Sequence, residues 1–235
     1  MMAQLGSTLL AIAMMVAGYL IGLCVTPPNP PPEQKSRYRT DRISLIVGKF
    51  ATIVRWIAGS VVMYHVFLTV VLQYAPTRTF QVCPRPQNTN SELFAWNSLS
   101  ITALLLIYTG AYVRLWAYGG LGKYFTFHLA EPEQLVTTGV YGWIQHPSYT
   151  GIMMMSVGFM VLFLRWDATP ACWISELALS QWHGWGPSIF VLFVGIGSLL
   201  VATRVRDEEN MLKQKFGQKW EEWHRSTKRF IPGLF

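Results

Sequence analysis

Five segments of this 235-residue sequence are apolar over lengths that match or nearly match a membrane span. They are residues 5–25, 50–74, 93–113, 149–164 and 185–203, and only 50–74 contains a charge, Arg55 near one end. About 20 apolar residues in a helix cross the bilayer core, and an arginine near a span end reaches the headgroups. With 51% hydrophobic and 13% charged residues, the chain is also too apolar for an ordinary soluble domain. We therefore expect an all-α integral membrane protein with about five transmembrane helices.

The basic residues are distributed unevenly among the loops between these segments. With the N-terminus outside, the outer loops hold only Arg78, Arg85 and Arg165. The inner loops then hold fifteen: Lys35, Arg37, Arg39, Arg42, Lys49, Arg114, Lys123, Arg204, Arg206, Lys213, Lys215, Lys219, Arg225, Lys228 and Arg229. This bias predicts that residues 114–148 and 204–235 face the cytosol. The net charge of +7 thus indicates topology rather than nucleic-acid binding, which calls for a basic face with interleaved aromatic residues.

Local patterns divide the chain into two regions. Residues 1–113 hold the first three spans and a Pro-rich loop that begins at 27–32, and residues 114–235 hold two more spans and a C-terminal helix. The first segment lacks a preceding Lys or Arg and a cleavage pattern, which favours an uncleaved span over a signal peptide. In the C-terminal helix one face is apolar, which predicts an amphipathic helix at the membrane surface. That face consists of Leu212, Phe216, Trp220 and Trp223.

Two cysteines, Cys83 and Cys172, fall in the two predicted outer loops. A disulfide between them and two unpaired thiols both remain open, because spacing alone does not establish contact. Cys24 lies inside the first span, where we expect it to be inert.

The run GVYGWIQHPSYTG, residues 139–151, is the first candidate for chemistry. Gly139 and Gly142 permit tight turns, and Pro147 is suited to the first position of the next helix. His146 would then lie just before a helix N-terminus. We therefore predict a carboxylate-binding site here, formed by a side-chain donor, free backbone N–H groups and the positive end of the helix.

Charged residues at the inner ends of two spans are the second candidate. Arg114 ends the third span, and Arg204, Glu208 and Glu209 follow the fifth. Taken alone, Arg114 could simply mark the membrane boundary, and the RVRDEE run could be a solvated helix start. Ionisable groups at membrane depth are costly unless paired, so we expect Arg204 to pair with one glutamate and leave the other for a ligand.

These patterns resemble the isoprenylcysteine carboxyl methyltransferase family. The matching residues are Arg114, Ala117, Gly122 and Phe125, then the 139–151 run, then Arg204 and Glu209 with Leu212, Phe216 and Gly217. The resemblance runs from Arg114 to the end. It implies an enzyme of the endoplasmic reticulum membrane, with its active site facing the cytosol, that uses S-adenosylmethionine to methylate the carboxylate of a prenylated cysteine.

The resemblance also implies the roles of individual residues. The cofactor-binding set is Leu135, Val136, Gly139, Tyr141, His146, Pro147, Tyr149, Glu208 and Glu209, and the catalytic set is Arg114, Arg204 and Glu209. A carboxylate acceptor, with a pKa of about 4, is already ionised at neutral pH and needs no general base. It does need a cation, and Arg114 and Arg204 supply two. The lipid part of the acceptor would enter between spans, past Tyr108, Tyr112, Trp116 and the methionines at 153–155.

One departure from the family leaves the acceptor open. The residue before His146 is Gln145, where the family has arginine, and an amide cannot replace a bidentate guanidinium. Either another residue supplies the charge, or the acceptor differs, or the cofactor binds less tightly. Another lipid or terpenoid acceptor is one alternative, and an NADPH-dependent isoprenoid or sterol reductase is a second. A reductase needs phosphate contacts, and no Lys or Arg occurs between Lys123 and Arg165. A non-enzymatic scaffold would leave the charges at membrane depth unexplained.

Overall fold

The computed structural model of the protein describes residues 2–32, 51–182 and 184–233. Its α-helices in chain order are α1 (Met2–Cys24), α2 (Ala51–Tyr74), α3 (Thr79–Val82), α4 (Ser98–Leu121), α5 (Pro147–Phe163), α6 (Glu176–Gln181), α7 (Gly186–Phe216) and α8 (Gln218–Ser226). Within the described ranges there is no strand, only an isolated bridge between Ile144 and Lys228. The fold is all-α, as predicted.

Four helices are long and apolar enough to cross a membrane: Gln4–Cys24, Ala51–Tyr74, Ser98–Tyr124 and Gly186–Phe216. The other predicted span forms α5, an apolar helix of 17 residues. At 1.5 Å per residue it is about 25 Å long, near the lower limit for a span. The protein is thus an all-α integral membrane protein. The basic stretch from Lys35 to Lys49 lies outside the described residues.

Helix α4 begins five residues later than predicted, and a pair of side chains explains why. The Asn97 carboxamide oxygen accepts a hydrogen bond from the Ser100 amide at 2.9 Å, and the Ser100 hydroxyl accepts one from the Asn97 amide at 3.0 Å. This reciprocal capping satisfies N–H groups that a helix start leaves unpaired. The preceding residues Ser91–Phe94 form a separate 3-10 helix.

The C-terminal part differs from the prediction in two ways. Helix α7 continues without a break from Gly186 to Phe216, and it ends where Gly217 adopts a φ of 51°, a left-handed conformation that favours glycine. The apolar face of the C-terminal residues also contacts protein. Trp220 is buried with Leu129, Leu135, Met211 and Leu212, and Phe216 and Trp223 pack against this cluster. The face expected at the membrane surface therefore belongs to a protein core.

The chain divides into two compact units. The first comprises residues 1–23, 55–109 and 154–194. Here Cys83 and Cys172 form a disulfide with a Cα–Cα distance of 4.7 Å, which settles the alternative left open by the sequence. Nearby, the Asn90 amide donates to the Asp167 carbonyl at 2.7 Å, and Arg165 pairs with the Asp167 carboxylate at 2.6 Å. The two predicted outer loops are thus joined to each other.

The second unit comprises residues 24–54, 110–153 and 195–233 of the described chain, and it contains every predicted site residue. The side-chain amide of Asn29, in the Pro-rich stretch, donates to the carbonyls of Gly122 and Phe125, both at 2.8 Å. The boundary predicted at residue 113 stays a prediction, because each unit is assembled from three separate stretches of chain.

The predicted orientation can be tested with engineered cysteines. A cysteine replacing Lys123 or Lys219, both exposed, should react with an impermeant maleimide only from the cytosolic side. A cysteine replacing Arg78 should react only from the other side. The native cysteines give little background, because Cys24 is buried and the other two are disulfide-bonded. Labelling of position 123 or 219 from the lumenal side would contradict the topology.

Candidate active site

A cavity of about 330 Å³ lies within the second unit. This volume is at the lower end of the range for small-molecule sites. Nine of the predicted residues line it: Arg114, Leu135, Val136, Tyr141, His146, Pro147, Tyr149, Arg204 and Glu208. The other two, Gly139 and Glu209, are not among the residues lining it. Gly139 instead begins a 3-10 turn with a φ of 61°, which explains the need for glycine there.

Arg114 is a buried cation in the cavity wall. Its side chain projects from α4, and the residue is only 8% exposed. Nε donates to the Cys24 carbonyl at 2.8 Å, and one terminal nitrogen donates to the Ser148 carbonyl at 3.1 Å and hydroxyl at 2.6 Å. Among the described residues, no carboxylate pairs with Arg114, and its guanidinium lies over the rings of Tyr118 and Phe127, at 5.2 and 5.5 Å from their centroids. A buried charge without a counter-ion is costly, so this guanidinium is suited to an anionic ligand.

Arg204, Tyr149 and Glu208 form a second polar group in the wall. The Tyr149 hydroxyl donates to a Glu208 carboxylate oxygen at 2.8 Å. Arg204 is 7% exposed and donates to the Phe127 carbonyl at 2.7 Å and to the Tyr149 hydroxyl at 3.4 Å. The tyrosine therefore links a cation and a carboxylate that both border the cavity.

Glu209 takes part in a different arrangement from the expected one. Its two carboxylate oxygens accept hydrogen bonds from Arg229, at 2.7 and 2.9 Å. One of them also lies 3.3 Å from Nε2 of His146. Glu209 thus contacts Nε2 of His146, is not among the residues lining the cavity, and forms an ion pair with an arginine of the C-terminal segment.

The region before α5 also differs from the carboxylate-binding site that the sequence suggested. The backbone amides of Gln145 and His146 donate to the carbonyls of Lys228 and Arg229, at 2.8 and 2.9 Å. Those N–H groups are therefore engaged by the C-terminal segment. Nδ1 of His146, by contrast, is buried without a hydrogen-bond partner among the described residues, and a Glu208 oxygen lies 3.8 Å from it. His146 also lines the cavity, so a ligand can satisfy this nitrogen.

Gln145, the residue that departs from the family, makes hydrogen bonds to the C-terminal segment with both polar atoms of its side chain. Its amide nitrogen donates to the Thr227 carbonyl and hydroxyl at 2.9 and 3.0 Å, and to the His224 carbonyl at 3.2 Å. Its oxygen lies 2.8 Å from Nδ1 of His224 and accepts a hydrogen bond from it. Burial lowers the pKa of His224, which is consistent with a neutral ring that donates from Nδ1. Gln145 therefore holds the C-terminal segment against the site.

Replacing Gln145 with leucine should release this segment. The change keeps the approximate side-chain volume, but it removes every hydrogen bond made by the Gln145 side chain and leaves buried acceptors unsatisfied. Each such group costs on the order of 1–3 kcal/mol, so we expect a clear loss of thermal stability. Limited proteolysis should then cut near residues 224–233 much faster than in the wild type. Gln218→Leu, an exposed glutamine on α8, is the matched control. An unchanged cleavage rate in Gln145→Leu would show that the Gln145 side chain does not hold the C-terminal segment in place.

The remaining wall is mostly apolar, and much of it was not predicted. Tyr141 is buried, its hydroxyl lies 3.3 Å from the Ala117 carbonyl, and burial raises its pKa, so it stays neutral. The wall residues that no pattern in the sequence suggested include Phe127, Leu129, Pro132 and Leu200. Residues 126–134 have no helical periodicity, and no motif marked them as part of a site. Tyr112 and Trp116, suggested for acceptor entry, are exposed and do not line the cavity.

Comparisons with known proteins show which proteins the chain is similar to. The sequence model of the isoprenylcysteine carboxyl methyltransferase (ICMT) family matches residues 102–183. Human protein-S-isoprenylcysteine O-methyltransferase is 30% identical over 139 residues, which are 57% of this chain and 41% of the human protein. The protein of the same name from Tribolium castaneum is 25% identical over 193 residues, 72% of this chain and 61% of that protein. These similarities confirm the resemblance inferred from the motif residues, and the matched part spans less than two thirds of either relative.

Proposed function

We propose that the protein transfers a methyl group from S-adenosylmethionine to the carboxylate of a lipophilic acceptor. The names of the relatives favour a C-terminal prenylcysteine as that acceptor. The observation that carries the proposal is Arg114, a buried guanidinium in an otherwise mostly apolar cavity, with no carboxylate partner among the described residues. A cavity with apolar walls and an uncompensated cation fits a molecule that combines a lipid with an anionic group.

The residues present also fit the cofactor. When bound, S-adenosylmethionine supplies a sulfonium-activated methyl group. The ammonium of its methionine part needs acceptors, and the unsatisfied Nδ1 of His146 beside Glu208 offers two. The apolar walls formed by Leu135, Val136 and Trp223 suit the adenosine part. The residues proposed to contact the cofactor and the two arginines line the same cavity, which supports methyl transfer between two bound molecules.

The roles of the arginines follow from the acid–base requirements of the acceptor. An ionised carboxylate needs no base to remove a proton, and Tyr141, with its raised pKa, could not serve as one near neutral pH. Arg114 and Arg204 would hold the carboxylate in line with the methyl group, and the apolar walls would help to exclude water. The proposed site lies in the endoplasmic reticulum membrane and opens toward the cytosol.

Binding to the purified protein tests the cofactor directly. Calorimetric titration in detergent should show one site for S-adenosylhomocysteine and no binding of NADPH. His146→Ala should weaken S-adenosylhomocysteine binding roughly ten- to a hundredfold, because a hydrogen bond to a charged group is lost. Glu209→Ala should act in the same direction through His146. Glu222→Ala, an exposed glutamate of α8, is the matched control. NADPH binding without S-adenosylhomocysteine binding would favour the reductase alternative.

A further inference from the structure

Arg114 contacts aromatic rings as well as hydrogen-bond acceptors. Cζ of its guanidinium lies 5.2 Å from the ring centroid of Tyr118 and 5.5 Å from that of Phe127. A cation within about 6 Å of an aromatic ring face is attracted by the ring. Tyr118 is held in turn by its hydroxyl, which donates to the Cys24 carbonyl, and by the ring of Phe125, at 4.1 Å between centroids. Phe127 belongs to the segment after α4 that no pattern in the sequence marked.

Phe127 also contacts the second arginine of the site. Its backbone carbonyl accepts a hydrogen bond from a terminal nitrogen of Arg204 at 2.7 Å. Residues 126–128 form neither helix nor strand, so this contact helps to fix their backbone, together with the hydrogen bond from the Thr126 hydroxyl to the His128 carbonyl at 2.6 Å. Through its ring and its carbonyl, Phe127 therefore contacts both of the arginines proposed to hold the acceptor.

We infer that Phe127 is a positioning residue that acts through Arg114. Its ring keeps the guanidinium in the orientation that binds the acceptor carboxylate, while Arg204 holds the Phe127 backbone in place. A guanidinium is planar and weakly hydrated, and its attraction to an aromatic face is stronger in a desolvated site than in water. An aliphatic side chain of similar size would fill the same space without that attraction. The inference rests on the proposed function, because it takes Arg114 to bind the acceptor.

An aromatic contact suits a cation that has to bind an anionic ligand. Arg114 is 8% exposed, and in the part of the chain that the structure describes no ion pair joins it to a carboxylate. A carboxylate partner would offset the cost of burying this charge, but it would also compete with the acceptor. The rings of Tyr118 and Phe127 stabilise the guanidinium without neutralising it. Its charge therefore stays available to the acceptor carboxylate.

The first test compares Phe127→Leu, which removes the ring, with Phe127→Tyr, which keeps it. With an N-acetylated farnesylcysteine as acceptor, Phe127→Leu should raise KM about tenfold, because a poorly oriented guanidinium binds the carboxylate less tightly. Its affinity for S-adenosylhomocysteine should change by less than about threefold, and Phe127→Tyr should stay close to the wild type. Phe159→Leu is the matched control, because this half-buried phenylalanine of α5 is not among the residues lining the cavity.

The second test separates a role at Arg114 from packing against the lipid part of the acceptor. The carboxamide of the same farnesylcysteine has no charge for Arg114 to bind. As a competitive inhibitor it should bind the wild type and Phe127→Leu equally well, within about twofold. Equal weakening of the acid and the amide would mean that Phe127 only packs against the prenyl chain, and it would overturn the inference. Phe127→Leu should also add little to the loss in Arg114→Gln, because both changes act through one group.

The third test needs no ligand. The Nε–H group of Arg114 donates to the Cys24 carbonyl at 2.8 Å and belongs to a guanidinium that lies over two rings, so its NMR frequency reports on those rings. Its resonance is assigned by its loss in Arg114→Lys. It should shift in Phe127→Leu and stay near the wild-type position in Phe127→Tyr and Phe159→Leu. Phe127→Met, which also lacks a ring, replaces Phe127→Leu if that variant does not fold.

An unchanged acceptor KM or an unchanged Arg114 resonance in a folded Phe127→Leu protein would also overturn the inference. So would a general loss of structure as the whole effect, which would weaken the binding of the acid, the amide and S-adenosylhomocysteine together. Failure of the proposed function gives a different pattern, because the wild type would then methylate no carboxylate acceptor. The role of Phe127 in acceptor binding would fall with it, and the ligand-free spectrum would still show whether its ring holds Arg114.

Discussion

Arg114→Lys is expected to reduce the turnover of a farnesylated cysteine analogue by a factor on the order of 100, while its affinity for S-adenosylhomocysteine changes by less than about threefold. Lysine keeps the positive charge but loses the planar fork. In the wild type, that fork donates to the Cys24 carbonyl and to Ser148 at the same time. These contacts fix the orientation of the guanidinium of Arg114, and a flexible ammonium cannot reproduce that orientation.

The comparison needs a control for charge and one for folding. Arg225→Lys changes an exposed arginine and should keep full turnover. Thermal unfolding of Arg114→Lys in detergent shows whether the contacts to Cys24 and Ser148 matter mainly for stability. Arg204→Lys should behave in the same way as Arg114→Lys if both cations hold the acceptor. Wild-type turnover in a folded Arg114→Lys protein would remove Arg114 from the acceptor site.

Gly151→Ala should strongly impair both stability and turnover, because α5 packs tightly against α4 at Gly151, within the second unit. A Cβ at this position would lie 2.5 Å from the Gly110 carbonyl oxygen and 2.8 Å from Cβ of Arg114. Backbone atoms cannot move aside as a flexible side chain can, so the two helices must separate. Overpacking of this kind costs typically about 1–3 kcal/mol, and the shift would displace Arg114 relative to Ser148.

Gly119→Ala provides the matched control, because it lies on the same helix as Arg114 and its Cβ would meet nothing within 4 Å. We expect Gly119→Ala to retain wild-type stability or to gain slightly, since alanine has the higher helix propensity. Gly151→Ala should unfold at a clearly lower temperature and lose at least about tenfold in turnover. If both variants behave alike, the close approach at Gly151 does not position Arg114.

The sequence was informative wherever a local pattern carried the signal. The uncharged segments identified the long helices, and the 139–151 run together with Arg114, Arg204 and Glu208 identified one cavity. The motif spacing succeeded because its residues lie at helix ends, where position along the chain largely decides position in space. The roles assigned to individual residues by the resemblance remain predictions.

Contacts between distant parts of the chain could not be read in the same way. Gln145 looked like a missing charge, yet its amide is satisfied by His224 and Thr227. Glu209 was expected to meet Arg204 or a ligand, but its ion-pair partner is Arg229, which belongs to no periodic pattern. The apolar face of the C-terminal residues was expected to lie at the membrane surface and is instead covered by protein. An amphipathic pattern shows that a face is buried but not what buries it.

Product analysis tests carboxyl methylation itself. The purified protein would be incubated with S-adenosylmethionine carrying a labelled methyl group and with an N-acetylated farnesylcysteine, and the products would be resolved by mass spectrometry. We expect one labelled methyl ester that mild base hydrolyses, and its yield should fall sharply in Arg114→Lys. An N- or C-methylated product, or a reduced double bond without methyl gain, would contradict carboxyl methylation. Binding of S-adenosylhomocysteine with no product from this acceptor, but methyl ester formation on another lipophilic acid, would retain the chemistry and replace the prenylcysteine assignment.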